Sequence, residues 1–143
     1  MKTALTALLT ICLCLPLMGD EDAKKKFDET KAKAEKGDAV AQNNLGKMYA
    51  KGQGVEQDFK EAFKWYRKAA EQGYSDAQYN LGVTYYLGYG VLKNEVTATT
   101  WWTIAAVNGN QDAKGNMGAI TKEMTPEQIA KAQELSSEMI KKN

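Results

Sequence analysis

Apolar and small residues in this chain recur at intervals of three and four, then pause at glycines. Ala41, Leu45, Met48 and Tyr49 share one face at helical spacing. Gly52-Gln53-Gly54 breaks that helix. Asp58 predicts the N-cap of a second helix, and Glu61 three residues on completes a capping box. Phe59, Ala62, Phe63, Tyr66, Ala69 and Ala70 form its apolar stripe, and Gly73 stops it. The plan then recurs: Ser75 and Gln78 predict a capping box, Gly88-Tyr89-Gly90 breaks the helix, and Asn94 caps the next.

The recurrence has a fixed period. Gly37, Gly73 and Gly109 are 36 apart, and a shift of 36 matches residues 35–70 to residues 71–106 with 15 of the 36 positions identical. The identities include Leu45/Leu81, Gly46/Gly82, Tyr49/Tyr85, Trp65/Trp101 and Ala69/Ala105. Small residues in one register (Gly46, Gly82 and Gly118; Ala62 and Ala98) predict close helix approach, and the repeated aromatics predict core filling. A third copy starts with Gly109, Ala113, Asn116, Met117 and Gly118, then diverges. It lacks the double-glycine loop. Thr125-Pro126-Glu127-Gln128 starts a last helix instead, with Ile129, Ala132, Leu135 and Met139 on its buried side.

Phe27 and Ala34 fall in register with Phe63 and Ala70, so residues 24–36 read as a lone second helix preceding the first full unit. The expected organisation is an N-terminal capping helix at 24–36, repeats at 37–72 and 73–108, and a degenerate repeat with a C-terminal capping helix over 109–142. That makes about seven helices and no sheet: an all-α solenoid.

The first residues carry a different pattern. Lys2 precedes an apolar stretch over residues 4–18, and Gly19 is followed at once by Asp20, Glu21 and Asp22. Residues 1–19 are therefore expected to be a secretory signal peptide, too short for a comfortable membrane span. Leu17 is an imperfect −3 residue for cleavage after Gly19. Cys12 follows Ile11 and Cys14 follows Leu13, so neither fits a lipoprotein signal.

Composition narrows the chemistry. Lys and Arg total 19 against 18 Asp and Glu, which gives no single-sign field for nucleic acid. The chain has no His, the commonest general base near neutral pH and a common metal ligand. Its two Cys, Cys12 and Cys14, both lie in the expected signal, so the mature protein would have neither a thiolate nucleophile nor a zinc–thiolate site. Ser75, Ser136 and Ser137 sit at a helix start or on a polar helix face, without a Ser-x-x-Lys motif. The expectation is no catalytic residue, no metal and no cofactor.

The motifs AEKGDAVAQNNLGKMY from Ala34, GQGV from Gly52 and KEAFKWYRKAA from Lys60 closely resemble the Sel1-like repeat, a relative of the tetratricopeptide repeat with a longer loop between its helices. The resemblance covers about residues 24–142. It implies a right-handed solenoid that serves as an adaptor or scaffold for protein complexes, often at the bacterial envelope. A cysteine-rich branch is reported to bind or cleave β-lactams. This chain has no Cys beyond Cys14, which separates it from that branch.

A solenoid binds mainly along the face lined by the first helix of each unit. Opposite Leu45 that face holds Val40, Asn43, Lys47, Ala50 and Lys51, and opposite Leu81 it holds Asp76, Tyr79, Val83, Tyr86 and Leu87. These positions differ between units. Asn43, Lys47, Lys51, Tyr79, Val83, Tyr86 and Leu87 are the candidate partner-binding residues, with Lys47 and Lys51 placed to meet an acidic group. The apolar Tyr79–Leu87 stripe fits either an interface or packing within so short an array. The expected function is an exported, monomeric interaction module for a protein or peptide, without nucleic acid and without a stable membrane span once the signal is removed. The alternatives are a hydrolase of β-lactam or cell-wall amides, and a structural or immunity-type protein.

Overall fold

A computed structural model describes residues 18–142, which form seven α-helices. They are α1 (Met18–Glu35), α2 (Ala39–Lys51), α3 (Phe59–Glu71), α4 (Ser75–Leu87), α5 (Glu95–Val107), α6 (Gln111–Ile120) and α7 (Pro126–Lys141). The described residues contain no strand. Most of the expected signal peptide lies outside the described residues; Met18 and Gly19 open α1. That helix starts before residue 24, the expected boundary, with Asp20 and Glu21 in its first turn where carboxylates complement the helix dipole.

From α1 to α6 each helix packs on the next, so the core is a chain of three clusters rather than one centre. Leu45 and Leu81 are fully buried, one in each of the first two. Phe27 of α1 meets Tyr49 edge-on at 5.4 Å and 87°, and Phe63 of α3 meets Tyr85 at 5.6 Å and 86°. Helix α1 thus supports α2 as α3 supports α4. The loops repeat as well. Gly54 has φ +71° and lies against the Ala23 carbonyl; Gly90 has the same φ and lies against the Phe59 carbonyl. Each needs both the left-handed backbone and the missing Cβ.

The caps follow the repeat register. Asp38, Asp58, Asn94 and Asn110 each accept a backbone N–H at their helix start, and Thr125 with Gln128 forms a complete capping box. Two expected boxes are not made. Asp58 accepts from Lys60 and Glu61, but the Glu61 carboxylate takes Lys64 at 2.5 Å instead of returning to the cap. The N-cap of α4 is Tyr74, with no side-chain cap bond, and Ser75 is already the first helical residue.

Gln78, expected in that box, is buried for another purpose. Its Nε2 donates to the Ala70 carbonyl at 3.2 Å, and its Oε1 accepts from Asn108 at 2.9 Å. Gln42 makes the same two bonds one unit earlier, to Ala34 at 3.1 Å and from Gln72 at 2.7 Å. A buried amide therefore ties each of these first helices to the helix before it and to its own partner. Lys114 occupies the third such position, on the exposed surface of α6.

The third unit departs from the plan. Gly46 packs under Tyr66, and Gly82 packs under Trp102. The register predicts the same for Gly118, but nothing lies within 4 Å of where its Cβ would be. The reason is that α7 lies along α5, with Ile129 and Met139 on the core clusters there, and barely touches α6. Ala132 and Ser136 are its buried residues; Ile129, Leu135 and Met139 are half-buried.

Candidate functional site

Helices α2, α4 and α6 line one face, and two clefts run between them. The first has a volume of about 270 Å³ and is lined by Ala50, Tyr66, Asn80, Val83, Thr84 and Leu87, with Phe59, Ala62 and Tyr89 at its loop end. The second, about 340 Å³, is lined by Tyr79, Val83, Tyr86, Leu87 and Trp102 on one side and by Asn116, Ala119, Ile120 and Glu123 on the other. A shift of 36 carries Ala50 to Tyr86, Tyr66 to Trp102, Asn80 to Asn116, Val83 to Ala119, Thr84 to Ile120 and Leu87 to Glu123. The two clefts are therefore one feature made twice. Val83 and Leu87 line both, so the clefts join into a continuous groove across the array.

The floor of each cleft is a large aromatic seated on a glycine. Trp102 is almost fully buried and donates its Nε1–H to the Tyr79 carbonyl at 3.1 Å. Tyr66 is buried as well, and that burial alone pushes its hydroxyl up to about 12. The groove is apolar where α4 forms its ridge: Leu87 is 46% exposed although it is a large aliphatic side chain. Tyr89 stacks on Phe59 at 4.5 Å and extends that surface onto the loop.

The structure brings most of the sequence-predicted residues together. Tyr79, Val83, Tyr86 and Leu87 all line the second cleft. The packing reading of the stripe is met: Tyr79, Val83 and Tyr86 pack against the third core cluster, Tyr86 tilts onto Trp102 at 5.7 Å, and the faces left over form the cleft wall. Their register equivalents on α2 are Asn43, Lys47, Ala50 and Lys51. Ala50 lines the first cleft, Lys47 is half-buried and Lys51 is exposed. Asn43 leaves the candidate set. It is 1% exposed, and its Oδ1 accepts from Asn80 Nδ2 at 2.9 Å across the α2–α4 contact. A buried, bonded amide cannot meet a partner without breaking that contact.

The Sel1 repeat matches residues 39–74 and 75–110, together half of the chain. The chain belongs to the Sel1 repeat family. Among solved structures it is similar to a protective antigen present in uropathogenic Escherichia coli strains, at 39% identity and a TM-score of 0.84, over 87% of this chain and 27% of the other. It is also similar to a Sel1 repeat protein from Oxalobacter formigenes, at 37% identity and a TM-score of 0.67, over 68% of this chain and 28% of the other. Helicobacter pylori cysteine rich protein B matches at 32% identity and a TM-score of 0.61, over 64% and 69% of the two chains. The chain thus spans about a quarter of the length of the first two. No curated protein matches it.

Within this Sel1 array, Trp102, Asn116 and Glu123 are cleft residues that reading the faces of α2 and α4 alone did not reach. The repeat register offered the means to find them, since Trp102, Asn116 and Glu123 stand one period after Tyr66, Asn80 and Leu87. No group of three or more His, Cys, Asp or Glu able to hold a metal occurs among the described residues. No helix among them is long and apolar enough to cross a membrane.

Proposed function

We propose that this Sel1 array is an exported interaction module that holds a protein or peptide segment in the groove across α2, α4 and α6. The observation that carries the reading is the joined pair of repeat-related clefts, with an aromatic floor in each and the exposed Leu87 on the ridge between them. An apolar, concave surface backed by aromatics that are already locked in place binds a ligand without first reorganising. Export rests on Lys2, the apolar stretch over residues 4–18 and the acidic residues after Gly19.

Site-specific photocrosslinking in cells tests the binding face. A photoreactive residue at Leu87 is expected to capture a discrete partner, and one at Arg67, on the exposed side of α3, is expected to capture none. Capture from Arg67 alone would place the interface elsewhere. Intact mass of the same protein recovered from the periplasm or medium, lacking about the first 19 residues, is the expected result for export; full-length protein confined to the cytoplasm would refute it.

A further inference from the structure

The two clefts share a template but not a chemistry. In the first, Ala50 holds the position of Tyr86, and Leu87 holds that of Glu123. Its amide residue, Asn80, already donates to Asn43 Oδ1 at 2.9 Å. The second cleft sets Tyr79, Tyr86 and Trp102 on one side against Asn116 and Glu123 on the other. Tyr79 stands where Asn43 stands one unit earlier, so Asn116 lacks the partner that Asn80 has, and it lines the cleft. Glu123 is exposed and joins none of the six ion pairs formed among the described residues. Lys93 lies over the Tyr86 ring at 5.4 Å but pairs with Glu95 at 3.4 Å.

Three features of the second cleft favour a positive group. Aromatic rings are negative on their faces, Glu123 carries a full negative charge, and the Asn116 amide oxygen can accept. A purely apolar side chain filling this cleft would take water from the carboxylate and the amide and return no hydrogen bond. Between the two strong cations of proteins, the guanidinium fits better. It is flat, so one face can stack on a ring while its edge donates to a carboxylate. It is also more weakly hydrated than an ammonium, and it gives up less on entering an apolar cleft. We propose that the Trp102 cleft takes an arginine side chain of the bound segment. The guanidinium lies against the aromatic wall and donates to the Glu123 carboxylate and to Asn116 Oδ1. The Tyr66 cleft, with Leu87 in place of the carboxylate, has no such preference. The assignment rests on the groove being the binding surface.

The test selects peptides on the purified protein from a phage-displayed random dodecapeptide library and measures them, labelled, by fluorescence anisotropy. The selected peptides are expected to carry an arginine. Replacing it with citrulline, its neutral isostere, is expected to weaken binding about three- to thirtyfold, the sum of an exposed ion pair and a cation–π contact. Lysine at that position is expected to bind more weakly than arginine. Glu123→Gln is expected to shrink the arginine-over-citrulline preference about two- to fivefold. Glu127→Gln, the same charge change on an exposed residue that does not line the cleft, is expected to leave it unchanged. Leu87→Asp, on the ridge, is expected to abolish binding of every selected peptide. Unchanged far-UV circular dichroism melts establish that each variant folds. Peptides that depend on Leu87 but bind equally well with citrulline or lysine, or whose arginine preference survives Glu123→Gln, overturn this proposal and leave the groove as the binding site. Failure to select any peptide that depends on Leu87 overturns both.

Discussion

Three glycines in one register position offer a controlled experiment on packing. An added methyl group at Gly46 would sit 2.7 Å from Cδ1 and Cε1 of Tyr66, and one at Gly82 would press closer still on the Trp102 indole. At Gly118 it would meet nothing within 4 Å. Glycine to alanine inside a helix gains roughly 1 kcal/mol through backbone entropy, and that gain is common to all three sites. Overpacking a core costs about 1–3 kcal/mol. The upper half of that range fits here, because both rings are buried and Trp102 is held by its bond to the Tyr79 carbonyl at 3.1 Å. The expected net changes are a loss of about 1–2 kcal/mol for Gly46→Ala and Gly82→Ala and a gain of about 0.5–1 kcal/mol for Gly118→Ala. Urea denaturation followed by far-UV circular dichroism reads them directly, since it does not depend on the Trp102 environment that Gly82→Ala alters. The midpoints should move in opposite directions with an unchanged slope. A shift of the same sign and size in all three variants would refute the reasoning, because propensity alone would then account for it.

Other outcomes follow from single contacts. Gly90→Ala forces an L residue to φ +71° and drives its Cβ into the Phe59 carbonyl; the left-handed backbone alone costs about 1–2 kcal/mol, so a melting scan should show a clear loss, with Gly54→Ala behaving alike against Ala23. Gln78→Met keeps the length of the side chain but orphans the buried Ala70 carbonyl, at about 1–3 kcal/mol, while the exposed Asn108 amide turns to water; a urea midpoint equal to wild type would show that the buried amide contributes nothing. The Tyr66 hydroxyl ionises near 10 when unfolded and near 12 when folded. Its contribution is fully present below pH 10 and is lost as pH rises toward 12, because the unfolded chain then gives up the proton first. A raised pKa of this size amounts to about 2–3 kcal/mol, and Tyr66→Phe should flatten the fall in stability between pH 9 and 12 relative to wild type.

The solenoid could be read from the sequence because a repeat states its packing rule several times. Leu45 and Leu81, the glycines beside Tyr66 and Trp102, and the Phe27–Tyr49 contact all obey one register. What failed did so where local spacing was trusted over that register. Ser75 and Gln78 have the spacing of a capping box, yet the N-cap positions are Asp38, Tyr74 and Asn110, one period apart. Tyr74 cannot cap, and Gln78 is left to its buried ladder. Asn43 faces away from Leu45 on its own helix, yet it is buried and accepts a hydrogen bond from Asn80 on the neighbouring α4. Gly118 kept the residue but lost the partner, since the path of α7 depends on contacts with α5 that no period encodes. The groove was half legible: the α4 wall stands out as an apolar stripe, whereas the α6 wall of Asn116, Ala119 and Glu123 is made of residues that look like ordinary surface.

The detour of α7 has a dynamic meaning. Helices α2 and α4 are each clasped from two sides, while α6 rests mainly on α5, and the amide ladder that staples the earlier units is not continued on α6, where Lys114 takes the position. Stability in a linear array is shared between neighbours, so an element with one main neighbour, as α6 is, opens before those clasped on both sides. That element also forms a wall of the Trp102 cleft. Whatever enters the cleft supplies the second neighbour that α6 lacks, and the array becomes most cooperative only when it is occupied.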